Sequence, residues 1–556
     1  MPQKQTFSRP PVLNISCSFP AAGTVRTSDS RISRLYRKTG SYIEQPCVWE
    51  GLFRLACMVK SKPLEEPVTA RIADACGETE NGSFPGTLTD QVSVARAALA
   101  LYEYNTDRNI LKRIAEWLRY IEIEFDTVVT QDGILYRPAD LMEFLVRYYQ
   151  ASGVRSALRI CARIRSEAFD WTTALHTFQQ SIPIPGSEKD GKYPIPGVSP
   201  EQIEYDQKEK LINHAELLAD GFRYTLFAGI FSGHGQDLSS GRSAWAYLEK
   251  HHHALCGGTT GDPYLSGNAP DQPVSTMALC AWAEAFASQM LLTDSLWAAA
   301  ELTRIVYNGF DDCLNRDPVP GIQYVNTVRR EETGPQEPAV LYARLSRAAA
   351  SVFHYAVSTT EKGIRINCLL PAKYMLMVQK QTLILHTDLS SVSFQCRKPV
   401  SAQLELYISP FCSCSIHLTR DGQAARSAEG GGYRDGGRLL TTDDIWQNGD
   451  RIELIPDDRV LSAATHHQGV CYMHMNRLLC IPADEEGFAR AACGETSMEN
   501  GKGSVLTAAA EKWHLREGGI PADIPVLPET KGEPVKTELT EYASGRQRIT
   551  MIPRAK

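Results

Sequence analysis

The spacing of apolar residues changes near residue 360, and this change limits the folds that the chain can adopt. Before it, apolar residues recur every three or four positions, as in Ile110, Ile114, Trp117 and Ile121, which is the pattern of a helix with one buried face. Such stretches follow one another from residue 45 to 355, separated by segments rich in Gly, Pro and Asp. Many helices of moderate length joined by loops predict a helical toroid.

Beyond the change, short runs rich in β-branched residues alternate apolar and polar side chains. Clusters of Gly, Asp and Asn separate these runs, as expected for antiparallel strands joined by turns. The runs are Ile364–Leu370, Thr382–His386, Gln403–Ile408, Arg451–Ile455 and Val470–Met473. The predicted fold is therefore multidomain, α + all-β: an (α/α)6-type helical toroid followed by one or two antiparallel β-sandwiches.

With 556 residues the chain is too long for one ordinary core. We expect an N-terminal extension at 1–44, the helical barrel at 45–358 and β-sandwich material at 359–495. Residues 496–556 are rich in Lys, Glu, Pro and Gly. This C-terminal segment is expected to be partly loop, with room for one returning strand.

The charge distribution argues against nucleic-acid and membrane partners. The formal net charge is -7 without a long Lys/Arg block, whereas nucleic-acid binding normally needs a basic surface. No run of about 18 apolar residues occurs, and the N-terminus lacks the apolar segment of a secretory signal. We therefore expect a cytoplasmic protein with a small-molecule or glycan partner, and the composition is compatible with a homo-oligomer.

Fifteen cysteines are scattered through the chain. An odd number at irregular spacing in a long chain favours reduced, mostly buried thiols. Cys412 and Cys414 lie closest together, but no second pair and no histidine stand at ligand spacing from them. A metal is not expected at that pair.

Several short segments occur in an order that is known from one family. In the helical half they are Cys256–Gly267, which begins Cys-Gly-Gly-Thr-Thr-Gly-Asp-Pro, then Met277–Ala281, Val306–Gly309 and Gln323–Asn326. In the β-rich half they are Gly432-Tyr433, Trp446-Gln-Asn-Gly-Asp450 and the run Val470–Leu479. This set resembles glycoside hydrolase family 127, the β-L-arabinofuranosidase family. The resemblance implies a divergent member of that family, with a sugar cleft in the helical barrel.

The resemblance also implies a zinc centre that this sequence has largely lost. In the family a Glu, a Cys two residues later and an adjacent Cys-Cys pair hold zinc, and a metal-bound thiolate is the nucleophile. Here Ala278 stands at the Glu position, Cys280 is a remnant of the site, and residues 342–348, Tyr-Ala-Arg-Leu-Ser-Arg-Ala, supply no thiol. Because catalytic zinc takes three protein ligands or more, we expect no metal and no other cofactor.

The family's general acid lies on the glycine-rich loop, and Asp262 is the nearest carboxylate in this chain. Asp262 is thus a candidate general acid. The structural alternative is an Asx-type turn ahead of Pro263. A mechanism based on carboxyl groups also needs a second one, which the sequence does not identify.

Three further residues are candidates for sugar binding. His214 stands where the family has a sugar-facing histidine, although a lone histidine is more often structural; Glu216 is expected to point elsewhere on the same helix. Tyr324 is placed either to contact sugar or to cap the barrel rim. The successive histidines 251–253 would spread over about 200° of a helix and cannot converge on one metal, and His253 is expected to face the cleft.

The sequence therefore favours a glycoside hydrolase-like protein that acts on a non-reducing-end sugar, arabinofuranoside-type or another plant-glycan sugar, without the zinc-cysteine centre. Gly133 and Asp140 stand where the family has histidines, which implies a changed substrate. Two alternatives remain open. One is a carbohydrate-binding relative without activity. The other is a sugar lyase or epimerase on the same barrel, with His214 and Tyr324 as acid and base.

Overall fold

A computed structural model describes most of the protein. The described residues are 24–60, 62–77, 81–129, 133–179, 210–268, 272–324, 337–420, 423–430, 437–456, 461–464, 470–482, 488–490, 496–498, 504–515, 526–544 and 548–550.

Helices occupy the first two thirds of these residues. They are α1 (Ser30–Gly40), α2 (Trp49–Val59), α3 (Lys62–Gly77), α4 (Leu88–Asn105), α5 (Arg108–Ile123), α6 (Phe125–Val128), α7 (Ala139–Ser152), α8 (Arg155–Glu167), α9 (Trp171–His176), α10 (Ala215–Ser232), α11 (Gly235–His251), α12 (Thr276–Thr293), α13 (Leu296–Arg304), α14 (Asp311–Asn315) and α15 (Pro338–Tyr355). One π-helical turn, Ile305–Phe310, joins α13 to α14. None of the described helices has the length and apolar content needed to cross a bilayer.

Local capping residues determine where several of these helices begin and end. Thr87 and Asp90 form a reciprocal capping box at α4: the Asp90 amide donates to Thr87 Oγ1 at 3.3 Å and the Thr87 amide donates to Asp90 Oδ2 at 3.1 Å. Asp107 caps α5 by accepting from the amide two residues on, at 2.9 Å. Gly153 and Gly233 end α7 and α10 with φ of 69° and 72°, a conformation that glycine adopts at little cost.

Six helices form a closed inner ring. Contacts run from α2 to α4, α7, α10, α12 and α15 and back to α2, while α1, α3, α5, α8, α11 and α13 pack around the outside. Because each outer helix returns the chain between two inner ones, the inner helices run in the same direction and all begin at one end, which we call the barrel mouth. The predicted helical toroid is confirmed.

The ring closes through a close approach of its first and last inner helices. A Cβ atom at Gly51 of α2 would lie 2.2 Å from Ser346 Oγ of α15. Only glycine leaves room for the two helices at this distance. Between α11, α12 and α13, the aromatic rings of Trp245, Trp282 and Phe286 pack with centroids 4.8 to 5.2 Å apart, a spacing that favours edge and offset contacts.

The described part of the predicted N-terminal extension is built into the fold. Helix α1 packs against α2 and α15, so the barrel includes residues well before 45. Ahead of it, Val25 pairs with Tyr374 of the β-rich half. Ile32, Leu35 and Tyr36 of α1 are buried, and this apolar face explains why the segment docks.

The strands are β1 (Val25–Arg26), β2 (Pro273–Ser275), β3 (Ile322–Tyr324), β4 (Val357–Thr359), β5 (Gly363–Ile366), β6 (Ala372–Val378), β7 (Gln381–Asp388), β8 (Ser391–Cys396), β9 (Val400–Ile408), β10 (Cys414–Arg420), β11 (Gln423–Gly430), β12 (Arg438–Trp446), β13 (Arg451–Pro456), β14 (Leu461–Ala464), β15 (Val470–His474), β16 (Arg477–Pro482), β17 (Phe488–Arg490), β18 (Thr496–Met498), β19 (Ser504–Leu515), β20 (Val526–Glu541) and β21 (Arg548–Ile549).

Two of the sheets make a β-sandwich directly after the barrel. One has the strand order β1-β6-β7-β8-β13-β10-β11 and the other β12-β9-β5-β4, with β5 and β9 parallel and the other pairs antiparallel. Phe394 of the first sheet stacks on Trp446 of the second with ring centroids 4.2 Å apart. Leu385 and Leu404 are buried between them. The expected antiparallel sandwich is present, and alternating apolar residues fill its core.

A third sheet has the order β14-β15-β16-β20-β19-β17. Its two longest strands, β19 and β20, come from the segment after residue 496, which therefore supplies more strand than its composition suggested. The sheet is joined to the barrel by the turn before β16, where Arg477 Nη1 lies 3.0 Å from Asp311 Oδ2 and the Leu478 amide donates to Asn308 Oδ1 at 2.7 Å.

Candidate functional site

The glycine-rich loop 257–267 lies at the barrel mouth, where its backbone is tied to the starts of two inner helices. The Ala215 amide of α10 donates to Pro263 O at 2.8 Å, and the Ser275 amide, just before α12, donates to Gly261 O at 3.1 Å. Gly261 has φ of 130°, and a Cβ there would lie 2.4 Å from Tyr264 O. The loop thus needs glycine to hold its position between α10 and α12.

Asp262 and Tyr324 are brought to this loop by short backbone pairings. Asp262 is exposed on the loop itself. Tyr324 pairs with Pro273 in the β2–β3 ribbon, and Val274 of that ribbon bridges to Gly261. The two candidates therefore share the mouth, with Asp262 in solvent and Tyr324 half-buried at the rim.

His214 lies at the same end and caps α10. The Leu217 amide donates to His214 Nδ1 at 3.4 Å, and the His214 ring meets that of Tyr264 edge-on with centroids 5.8 Å apart. Capping a helix gives this histidine a structural role that does not depend on a substrate.

The three successive histidines bind three different partners. His253 Nε2 lies 2.9 Å from Glu301 Oε2 of outer helix α13. Burial alone would raise the pKa of Glu301, but His253 and Arg304 hold it below its usual value. The Gly267 amide donates to the buried His252 at Nδ1, at 3.1 Å, and the His251 ring packs on Tyr247. His253, which was expected to face the cleft, is engaged with the outer ring.

Charged side chains from all six inner helices meet inside the barrel. Six arginines and six carboxylates of the described residues form one connected set of ion pairs, here called the barrel network. Its members are Glu50, Arg54, Arg96, Glu103, Asp140, Glu143, Arg147, Asp220, Arg223, Glu284, Arg344 and Arg347. Most lie in the first three turns of their helices, which places the network just below the mouth.

Arg223 is the centre of the barrel network. Its side chain is 1% exposed and contacts four carboxylates: Nη1 lies 3.2 Å from both Glu143 Oε2 and Glu284 Oε2, Nη2 lies 3.2 Å from Asp220 Oδ1, and Nη2 also binds Asp140. A buried guanidinium needs such partners because an unpaired charge in the interior is costly.

The arginines lower the pKa of two network carboxyls, Asp140 and Glu284. Burial would raise the pKa of Asp140, but Arg347, Arg223 and Arg96 hold it well below its ordinary value. Burial likewise acts on Glu284, and Arg344, Arg347 and Arg223 outweigh it, so its pKa is also lowered. Asp140 is the most exposed of the six carboxylates, at 31% of its side chain.

Glu216 has the opposite electrostatic environment. It lies in the first turn of α10, half-buried at the mouth. Burial raises the pKa of the Glu216 carboxyl, and the negative charge of Asp220 adds to this effect against the attraction of Arg344. Within the described part of the chain it belongs to no ion pair. The surroundings of Glu216 therefore favour its protonated form, whereas the arginines favour the ionised forms of Asp140 and Glu284.

Solved structures share this architecture over nearly the whole chain. A protein described as a glycoside hydrolase matches with a TM-score of 0.69 at 12% identity over 98% of both chains. A GH127 β-L-arabinofuranosidase from Geobacillus stearothermophilus T6 matches with 0.63 at 14% identity over 92% of this chain and 89% of its own. A GH127 β-arabinofuranosidase, BT3674, matches with 0.54 at 13% identity over 98% of both. No protein-family model and no curated protein sequence matches the chain.

The chain has the family 127 fold. The identities establish the fold and not the chemistry, so the zinc centre of family 127 has to be tested on the residues themselves.

At the position where the sequence resemblance implies the family's zinc centre, the residues of this chain do not fit a metal. Cys280 is buried in α12, and burial raises the pKa of its thiol well above the usual value, so the metal-free sulfur is a neutral thiol. Helix α15, which in the family 127 pattern would carry the two thiols, presents Arg344 and Arg347 to α12 instead. Among the described residues no three His, Cys, Asp or Glu side chains are placed to hold a metal ion.

The barrel network and Glu216 were missed from the sequence, although one signal was present. Glu284 is the single charge of α12, and Glu216, Asp220 and Arg223 are the only charges of α10, which is otherwise mostly apolar. A charge in such a helix must be buried, and a buried charge needs a partner. Pairing these isolated charges across helices would have predicted a charged centre in the family 127 barrel.

Proposed function

We propose that the protein is a glycoside hydrolase that removes a non-reducing-end sugar with two carboxyl groups and without a zinc-thiolate centre. Glu216 is the general acid and Asp140 the ionised partner. The observation that carries the proposal lies at the mouth of a barrel that has the family 127 fold. There Glu216, which forms no ion pair among the described residues, lies near carboxylates that are bound by arginines.

A glycosidic oxygen needs a proton as it leaves, and a carboxyl supplies it at neutral pH when its environment keeps it protonated. Glu216 has that environment because it is half-buried and lies near the Asp220 charge. Asp262 is exposed and lacks that burial. We therefore assign the acid to Glu216 and keep Asp262 as the competing candidate.

The second carboxyl must be ionised and must reach the substrate. Asp140 meets both conditions, since three arginines stabilise its charge and nearly a third of its side chain is exposed. It acts as base toward water or as nucleophile, according to its separation from the acid. The polar groups of His214 and Tyr324 lie at the same end and are proposed sugar contacts.

The substrate class rests on the fold. Two of the matched structures are arabinofuranosidases by name, which makes arabinofuranosides and plant-wall oligosaccharides the first compounds to test. Asp140 stands where the sequence resemblance implies a histidine, so the preferred sugar is expected to differ from that of the family.

The deciding experiment is hydrolysis of a panel of aryl arabinofuranosides and plant-wall oligosaccharides, with and without chelator, by the wild type and by Glu216→Gln and Asp262→Asn. We expect turnover that the chelator does not change, a loss of about 10²- to 10⁴-fold in Glu216→Gln and near wild-type rates in Asp262→Asn. Loss in Asp262→Asn alone would move the acid to Asp262. Loss on chelation would contradict the zinc-free mechanism.

The same experiment separates the competing functions. Measurable sugar binding without turnover on any compound would favour the non-catalytic carbohydrate-binding protein. An unsaturated product that absorbs ultraviolet light would favour the lyase, with His214 or Tyr324 as the base.

A further inference from the structure

Two carboxyl groups lie one helical turn apart at the start of α10. Glu216 and Asp220 are four residues apart, which places them on the same face of the helix. Their partners differ. Arg223 and Arg344 both bind Asp220 at Oδ1, at 3.2 Å and 2.5 Å, whereas no arginine in the described residues binds Glu216.

Arg344 is held in place from two sides. Its Nη2 contacts Asp220 of α10 and its Nε lies 3.2 Å from Glu284 Oε2 of α12, while its side chain is only 7% exposed. A guanidinium fixed between two helices cannot swing toward Glu216 without giving up a buried partner. The positive charge of Arg344 therefore acts more strongly on Asp220 than on Glu216.

We propose that Arg344 is a positioning residue that fixes the proton of the carboxyl pair on Glu216 by binding the carboxylate of Asp220. The inference rests on the proposed role of Glu216 as general acid and adds the device that controls it. Two nearby carboxyls cannot both ionise freely, so one of them retains a proton. The cation determines which carboxyl retains the proton, because a carboxylate that binds a guanidinium directly is stabilised in its ionised form.

The other charged groups around the pair leave this decision to Arg344. Arg223 binds Asp220 but shares its charge among four carboxylates. Arg347 is bound to Asp140 and Glu284, and its positive charge lowers the pKa of Glu216 less than that of Arg344 does. Arg137, in the turn before α7, acts on Glu216 from a distance, and the Cys280 thiol of α12 is neutral. Of these groups, Arg344 makes the shortest contact with Asp220. The positive charge of Arg344 lowers the pKa of Glu216, whereas the negative charge of Asp220 raises it.

Arg344 stands in the segment of α15 where the sequence resemblance implies two thiols. In this chain the same segment supplies the arginine that distinguishes the two carboxyls of α10.

The test is an infrared titration of the protonated carboxyl near neutral pH on the full-length protein, which needs no substrate. The C=O band should be absent in Glu216→Gln. Labelling aspartate carboxyls with ¹³C should leave the band unchanged in the wild type. In Arg344→Met the label should shift part of the band, because the proton now also resides on Asp220, and the titration midpoint should rise by about one pH unit.

Arg344→Lys and Asp220→Asn test the role of Arg344 if Arg344→Met does not fold. Arg344→Lys retains a cation, and its band and midpoint should return toward those of the wild type. Asp220→Asn removes the anion while Arg344 stays, so the Glu216 midpoint should fall. An unchanged midpoint in Asp220→Asn, or an aspartate-sensitive band in the wild type, would overturn the proposal.

Failure of this test is distinct from failure of the proposed function. A correct titration in a protein that hydrolyses no glycoside would leave the role of Arg344 standing and remove the catalytic one. If turnover depends on Glu216 but the infrared titration is unchanged in the Arg344 and Asp220 variants, the catalytic role of Glu216 stands and the role of Arg344 is removed.

Discussion

Arg347 binds the carboxylate of Glu284 side-on across two inner helices. Its Nε lies 2.7 Å from Glu284 Oε1 and its Nη2 lies 3.3 Å from Oε2. Arg344 and Arg223 contact the same carboxylate, so three guanidiniums converge on one side chain that is 3% exposed. Glu284 thus neutralises charge from α10 and α15 at once, and it ties these helices to α12.

Removing this carboxylate should destabilise the barrel severely. Glu284→Gln leaves three buried guanidiniums short of one counter-charge, and breaking a buried ion pair costs about 3 to 5 kcal/mol. The free energy of unfolding in urea measures the loss. The matched control is Glu167→Gln, which removes a half-exposed pair with Arg163 and should cost less than about 1 kcal/mol. Equal losses in the two variants would mean that the barrel network does not stabilise the fold.

Stability should depend on pH through His354. This histidine is buried in α15, where it donates from Nδ1 to Ala350 O at 2.7 Å, and burial lowers its pKa to about 4. The unfolded chain binds the proton at about pH 6.5, so this contribution is complete above that pH and is lost as pH falls toward 4. The loss amounts to about 3 kcal/mol.

The free energy of unfolding measured at several pH values tests this dependence. His354→Phe should flatten the curve between pH 6.5 and 4 by removing the titrating group, whatever its own effect at neutral pH. A variant with the same slope as the wild type would assign the dependence to other groups.

A methyl group at Gly51 should strain the seam where the ring closes. The new Cβ would meet Ser346 Oγ at 2.2 Å and the Arg347 amide at 2.8 Å, and overpacking of this kind costs about 1 to 3 kcal/mol. Thermal unfolding of Gly51→Ala reports the cost. At Gly77 of α3 a Cβ meets no atom within 4 Å, so Gly77→Ala is the control and should not destabilise the protein.

Cys280 should be dispensable for turnover. Its buried thiol is neutral and cannot act as nucleophile. In Cys280→Ala we expect kcat/KM to stay within a few-fold of the wild type, with a cavity cost of about 1 kcal/mol. A loss of several orders of magnitude in a folded Cys280→Ala protein would restore a thiol mechanism.

The fold could be predicted because the apolar spacing changes from a helical to a strand period near residue 360, as α5 and β7 show. The mouth was partly predictable as well, since the motif order places the glycine-rich loop beside α10 and α12. The role of Glu216 was not. Helical spacing was counted from His214, but His214 has φ of -78° and ψ of 117° and lies outside the helix that begins at Ala215. The direction of the Glu216 side chain therefore could not be predicted by counting helical positions from His214.

The individual pairings within the barrel network could not be predicted, for a different reason. Most of its ion pairs join residues from different helices, such as Arg96 with Glu50 or Arg347 with Asp140. Periodicity identifies which face of a helix is buried, but it does not say which helices face one another. That information is in the ring order, which the structure supplies.

The contact between α2 and α15 has a consequence for synthesis of the protein. Gly51 and Ser346 are 295 positions apart in the chain, so the ring cannot close until the last inner helix has left the ribosome. Until then, nascent chains expose the apolar flanks of an open arc, and such long-range closure is slow and prone to aggregation. Truncations before residue 355 should therefore be insoluble, and expression should depend on chaperones that hold the arc apart until α15 arrives.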